Sequence, residues 1–163
     1  MAWSYLGSTK LDSAGKTISV DISHKIYLYV SCFIIRNSGG VNPRLRFNSS
    51  NSGYTFRQTF SLDNNSSEST SQSGIAMCNG VSADPDGAFS FSLITSESGK
   101  LTMVEAWSAS DDGTQDASVV PSCQQIVGNW STTDDITNVS LVNTGTANFE
   151  SGSEVVVFGT DSS

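Results

Sequence analysis

Ionisable side chains are scarce in this sequence. Only 15% of its 163 residues are Asp, Glu, Lys or Arg, histidine occurs once, as His24, and cysteine occurs three times. A lone histidine leaves one candidate base for nucleophilic catalysis and, with dispersed cysteines, makes no zinc site. No serine sits in a Gly-x-Ser-x-Gly elbow, and His24, followed by Lys25, reads as a solvated turn residue. Long hydrophobic runs are missing too. The longest, Ile26 to Ile35, is broken by Ser31 and is too short to cross a bilayer as a helix. The opening Met1-Ala2-Trp3-Ser4-Tyr5 shows neither a basic nor an apolar leader region, which predicts synthesis and folding in a cytoplasm. Cys32, Cys78 and Cys123 are odd in number and lack metal-ligand spacing, so three buried, reduced thiols are expected.

Positive charge is the scarcer sign. Eight Lys and Arg face sixteen Asp and Glu, giving a formal net charge of −8. Bulk charge of that sign repels phosphate backbones and argues against nucleic acid as a partner. The acids are themselves absent from one long segment. Between Ile22 and Leu62 there is no Asp or Glu, while Lys25, Arg36, Arg44, Arg46 and Arg57 all lie there.

What fills the chain is Ser, Thr, Asn and Gly, with Ser alone supplying roughly a fifth of the residues. Disorder is excluded because apolar and aromatic residues recur in short runs along the whole length. Their period is two. Ile18, Val20 and Ile22 alternate with Ser19 and Asp21; Leu45 and Phe47 with Arg44 and Arg46; Tyr54, Phe56 and Phe60 with Thr55, Arg57 and Thr59; Phe89, Phe91 and Leu93 with Ser90 and Ser92. Each reads as a strand with one buried and one wet face. Residues 25–36 and 155–158 are apolar on both parities, the pattern of strands central to a sheet or covered on their second face by a partner. Gly, Asn and Asp clusters such as Asn37-Ser38-Gly39-Gly40, Ser98-Gly99 and Asn143-Thr144-Gly145 separate the runs. Strands are predicted near 3–11, 17–22, 25–36, 43–48, 53–60, 74–79, 88–95, 100–107, 123–130, 136–143 and 154–159. Polar loops are predicted at 62–73 and across most of 108–122. The fold expected is all-β: one antiparallel two-sheet β-sandwich domain over residues 1–163, a jelly roll.

Candidate sites are few. Asp111-Asp112 and Asp134-Asp135 are loop acids of the hydrated kind rather than a glycosidase pair. Asp84-Pro85-Asp86-Gly87 hints at a calcium loop, but the twelfth position, where an EF-hand needs a carboxylate, is Thr95. A turn is the simpler reading. No cofactor, metal ligand or catalytic residue is assigned. Trp3, Trp107 and Trp130 suit core or interface packing better than a sugar-stacking platform. The partner-binding candidates are Arg44, Arg46 and Arg57. If 43–48 and 53–60 pair as a hairpin, all three guanidinium groups leave one outer face, where arginine docks carboxylates in a fork.

The chain also resembles a known family. Leu6-Gly7-Ser8-Thr9, Ala14-Gly15-Lys16-Thr17-Ile18-Ser19-Val20 and Leu45-Arg46-Phe47-Asn48 with Gly53-Tyr54 carry the likeness. It continues in Ile136 to Asn143 with Thr144-Gly145 and in Gly152-Ser153-Glu154-Val155-Val156-Val157-Phe158-Gly159. Together they are similar to the small jelly-roll proteins that decorate tailed-phage heads, the capsid cement proteins. That resemblance implies a virion structural protein on the capsid surface, made in the host cytoplasm. It further implies a homo-oligomer, dimer or trimer, bound to the major capsid protein, with no cofactor and no catalysis; nucleic acid and membrane are left out as partners by the charge and the short apolar runs above. A glycan-binding module of a phage tail or head appendage is the alternative, and a Trp/Tyr pair on an outer sheet face or loop with amide partners is its mark.

Overall fold

The computed structural model of the chain describes residues 2–36, 40–60, 66–78, 87–110 and 122–161. It contains twelve strands among those residues and no helix: β1 (Ser4–Lys10), β2 (Thr17–Asp21), β3 (Tyr27–Ile35), β4 (Pro43–Phe47), β5 (Tyr54–Phe60), β6 (Ser66–Gln72), β7 (Ile75–Ala76), β8 (Gly87–Thr95), β9 (Thr102–Ser110), β10 (Ser122–Trp130), β11 (Asn138–Asn143) and β12 (Glu154–Thr160). All pairings are antiparallel. One sheet runs β1-β12-β3-β8-β9-β10-β5-β6, and the other runs β2-β11-β4-β7.

The topology is a jelly roll with two additions. Without β5, β6, β9 and β10, a sheet β1-β12-β3-β8 faces a sheet β2-β11-β4-β7. The chain then changes sheet at every step except β4 to β7, as two interleaved Greek keys require. The pairs β5–β6 and β9–β10 extend the first sheet to eight strands. β6 corrects the loop expected at 62–73. Its sequence, Ser-Ser-Glu-Ser-Thr-Ser-Gln, has no apolar alternation because it is an edge strand, held to β5 by backbone pairing.

Between the sheets lies one core. β2 supplies Ile18 and Val20, β3 Leu28 and Val30, β4 Leu45 and Phe47, β11 Val139 and Leu141, and β12 Val155 and Val157, all buried. Each such side chain contributes about 1.5–3 kcal/mol when fully buried. At one end Phe47, Tyr54 and Trp130 form an aromatic cluster with ring centroids 5.6–6.1 Å apart. The Tyr54 hydroxyl accepts the Phe47 backbone N–H there at 2.8 Å. Gly128 sets how closely the sheets approach: a Cβ on it would lie 2.7 Å from Ile75 Cδ1 of β7 and 2.7 Å from the Thr55 carbonyl oxygen. The abundant Asn residues tie loops together. The Asn143 side chain accepts from the Asn42 and Gly145 N–H groups and donates to the Ala147 carbonyl.

One strand reverses its expected orientation. In β8 the serines face inward, Ser90 at 1% and Ser92 at 0% exposure, while Phe89 and Leu93 stand outside at 44% each. β9 behaves alike, with Thr102, Val104, Ala106 and Ser108 inward and Met103 and Trp107 outward. Small residues inside let the sheets approach, and the large apolar ones are left on the outer face.

Candidate functional site

The three arginines do not share a face. β4 pairs with β11 and β7 in the small sheet, whereas β5 pairs with β10 and β6 in the large one, so the expected hairpin does not form. The intervening Asn48 to Gly53 turn carries the chain between layers rather than along one. Arg57 projects from the large sheet, is well exposed, and forms an ion pair with Glu68 of β6. That partner lies just past the acid-free segment, where sequence spacing hid it.

Arg44 and Arg46 remain together. Leu45 and Phe47 point into the core, which turns both arginines to the outer side of the small sheet. Arg44 reaches past the short edge strand β7 to place its guanidinium carbon 5.2 Å from the centroid of the Phe56 ring, a cation–π contact. Arg44 Nη1 and Arg46 Nε are buried and have no hydrogen-bond partner among the described residues. Neither arginine has an ion-pair partner among those residues. The Arg44 guanidinium is held below its ordinary pKa, first by burial and then by the neighbouring Arg46 charge. Arg44 and Arg46 are thus two half-buried like charges with no acidic partner among the described residues.

A second feature covers the outer face of the large sheet. Trp3, Tyr5, Phe33, Phe89, Leu93, Met103 and Val127 are each 44–61% exposed, and all lie on that side. Partly covered rings run among them: Tyr5 against Phe158, Phe158 against Tyr29, Tyr29 stacked on Phe91, and Phe91 stacked on Trp107 at 5.2 Å. Several hollows open on this floor. One of about 500 Å³ is lined by Phe89, Phe91, Trp107 and Gln125, and another of about 400 Å³ by Trp3, Tyr27, Leu93, Met103 and Val127. The two-sided apolar pattern of 25–36 and 155–158 marked part of this face, but the β8 part was missed because its apolar parity was assigned to the core. Of the tryptophans, Trp130 is in the core, whereas Trp3 and Trp107 belong to the outer face.

The remaining chemical groups stay apart. His24 sits between β2 and β3, half-buried, with Nε2 3.7 Å from Asp135 Oδ1. No group of three His, Cys, Asp or Glu side chains positioned to hold a metal occurs among the described residues. Residues 84–86 of the calcium-loop motif and the Asp111-Asp112 pair lie outside the described residues. Cys32 and Cys78 are buried, and burial is the main cause that pushes each thiol up to about 12. Cys123 corrects the third thiol: it is exposed, because its parity on β10 faces outward.

The molecule is therefore a jelly-roll sandwich with an arginine pair on one sheet and an exposed apolar face on the other. No family model and no curated protein matches the sequence. Among solved structures, a mutant alginate lyase in complex with an alginate tetrasaccharide is similar at 9% identity and a TM-score of 0.30, over 94% of this chain and 79% of that one. A likeness at that level carries no inference about this chain's chemistry.

Proposed function

We propose that the chain is a virion structural protein, a capsid decoration protein that binds the outer surface of a phage head and stabilises it. The observation that carries this reading is the Arg44–Arg46 pair, two partly desolvated cations lacking an acidic partner among the described residues, on a chain of net charge −8. An Asp or Glu on the major capsid protein would satisfy both guanidinium groups in a fork. The setting rests on the sequence resemblance to cement proteins. Physical sense supports it: a sandwich that adds contact across the joints of a shell raises its cohesion, and repetition on a lattice multiplies modest contacts through effective concentration. The protein would act on the capsid surface after synthesis in the host cytoplasm.

Co-sedimentation with undecorated capsids tests the reading. Arg44→Glu and Arg46→Glu should each weaken binding by roughly 2–5 kcal/mol, the usual cost of breaking a buried interfacial charge pair. Arg57→Glu should leave binding nearly unchanged. Equal binding by all three folded variants would remove the arginine pair from the docking surface.

The alternative, a glycan-binding module of a tail or head appendage, is favoured by one arrangement. Gln125 lies opposite Trp107 in the ladder, and Trp107 stacks on Phe91 beside the larger hollow. The surroundings weigh against it, because Phe89, Leu93 and Met103 offer sugar hydroxyls no hydrogen bonds. A glycan array showing binding that Trp107→Ala abolishes would reverse that preference.

A further inference from the structure

We infer that the outer face of the eight-stranded sheet is a two-fold interface with a second copy of this chain. The starting point is the reversal of β8. A period-two strand settles its apolar side where water is excluded, and a one-residue slip would exchange the two sets. Here the chain keeps Ser90 and Ser92 in the core and leaves Phe89 and Leu93 44% exposed, an arrangement that a second surface excluding water from the outer side would stabilise. β12 and β3 carry the same message. Val156, Phe158, Tyr29 and Phe33 all face outward on strands whose inner parity already fills the core.

Size and charge select the occupant. From β12 to β10 the face is five strands wide, and its apolar rows run from Tyr27 to Phe33. At ~4.8 Å between strands and ~3.3 Å per residue this is about 550 Å² of sheet per copy. That is towards the top of the range left open on monomers, ~300–600 Å², and approaches the ~800 Å² each partner buries in a stable complex. An interface between identical copies opposes each charge to its own kind, so it has to be nearly free of charge at its middle. This one is. Among the described residues its middle holds one acidic or basic side chain, Glu105, whose carboxyl oxygen accepts a hydrogen bond from Gln125 at 3.2 Å. The charged residues of the same face lie towards its margins: Lys10 and Glu154 in the β1–β12 pair, and Arg57 paired with Glu68 at the β5–β6 end. A strongly acidic or basic partner would find little to match at that middle. Leu93 and Met103 line the smaller hollow and stand 44% and 47% exposed, so side chains of a second copy can pack onto them there. The two sheets would then stack face to face ~10 Å apart, as the layers of a sandwich do.

Sedimentation equilibrium tests this directly. The wild-type chain should sediment at twice its 17.2 kDa mass at micromolar concentration. Leu93→Glu and Met103→Glu should each weaken the association by at least ~100-fold, as loss of a buried hot spot does, with far-ultraviolet circular dichroism unchanged. A mutation-free readout runs in parallel: on dilution through the dimer midpoint, emission from Trp3 and Trp107 should move to the red. Arg44→Glu, which tests the capsid reading, should leave the dimer intact. The interface is disproved by a wild-type monomer at tens of micromolar, by a wild-type trimer, or by a dimer that survives both substitutions when folded.

Discussion

At the residue scale, burial decides what each polar group does. Cys32, Cys78 and Tyr54 are all taken out of water, and that is the leading cause that raises each pKa to about 12, from 9.0 for the thiols and 10.0 for the phenol. All three are raised in the folded state, so their contribution to stability is complete below about pH 9. It is lost as the pH climbs from there towards about 12, because the unfolded chain sheds these protons first. A urea midpoint that falls steeply across this range is the expected outcome, and a midpoint flat to pH 12 would contradict it. The same burial governs reactivity, since the thiolate is the nucleophile. With a thiol reagent at pH 8, Cys32 and Cys78 should react only on unfolding, which peptide mapping of the labelled protein will show.

Ser92 is a second residue with a measurable cost. It is fully buried opposite Val30 and Ala106, and its hydroxyl has no hydrogen-bond partner among the described residues. Ser92→Ala removes an unsatisfied donor and leaves a side chain that fits. It should raise stability by about 1 kcal/mol, read from denaturant unfolding. A loss of stability would show that the hydroxyl is bonded after all.

At the element scale, much of the sandwich was legible in the sequence. Period-two alternation located β2, β4, β5 and β8, and Gly and Asn clusters marked several of the turns. Two kinds of element escaped. β6 is an all-polar edge strand, specified by its pairing with β5 rather than by its own pattern. β8 was found but placed the wrong way round, because alternation gives the period of a strand and not which side meets the core. The arginine set failed for a related reason. Parity sends Arg44, Arg46 and Arg57 outward, but it does not say that β4 and β5 belong to different sheets. The contact of β7 with β10 through Gly128 was equally invisible. Gly128→Ala should destabilise the fold by roughly 1–3 kcal/mol through overpacking against Ile75 and the Thr55 carbonyl. A melting temperature unchanged from wild type would show that the sheets can separate there without cost.

At the scale of the whole molecule, the two sheets offer two different chemistries outward. The small sheet presents Arg44 and Arg46, a cationic pair with no acidic partner among the described residues, within a chain of net charge −8. The large sheet presents an aromatic and aliphatic floor with little charge at its middle. Back-to-back pairing through the large sheets would leave both arginine pairs on the far sides of the dimer, free to meet a shell. Cryo-electron microscopy of capsids incubated with the purified chain tests this arrangement most directly. The account predicts ordered density on the outer surface, with the β2-β11-β4-β7 sheet toward the shell and an acidic side chain of the capsid protein against Arg44 and Arg46. Bare capsids at saturating protein, or density with the eight-stranded sheet against the shell, would contradict it.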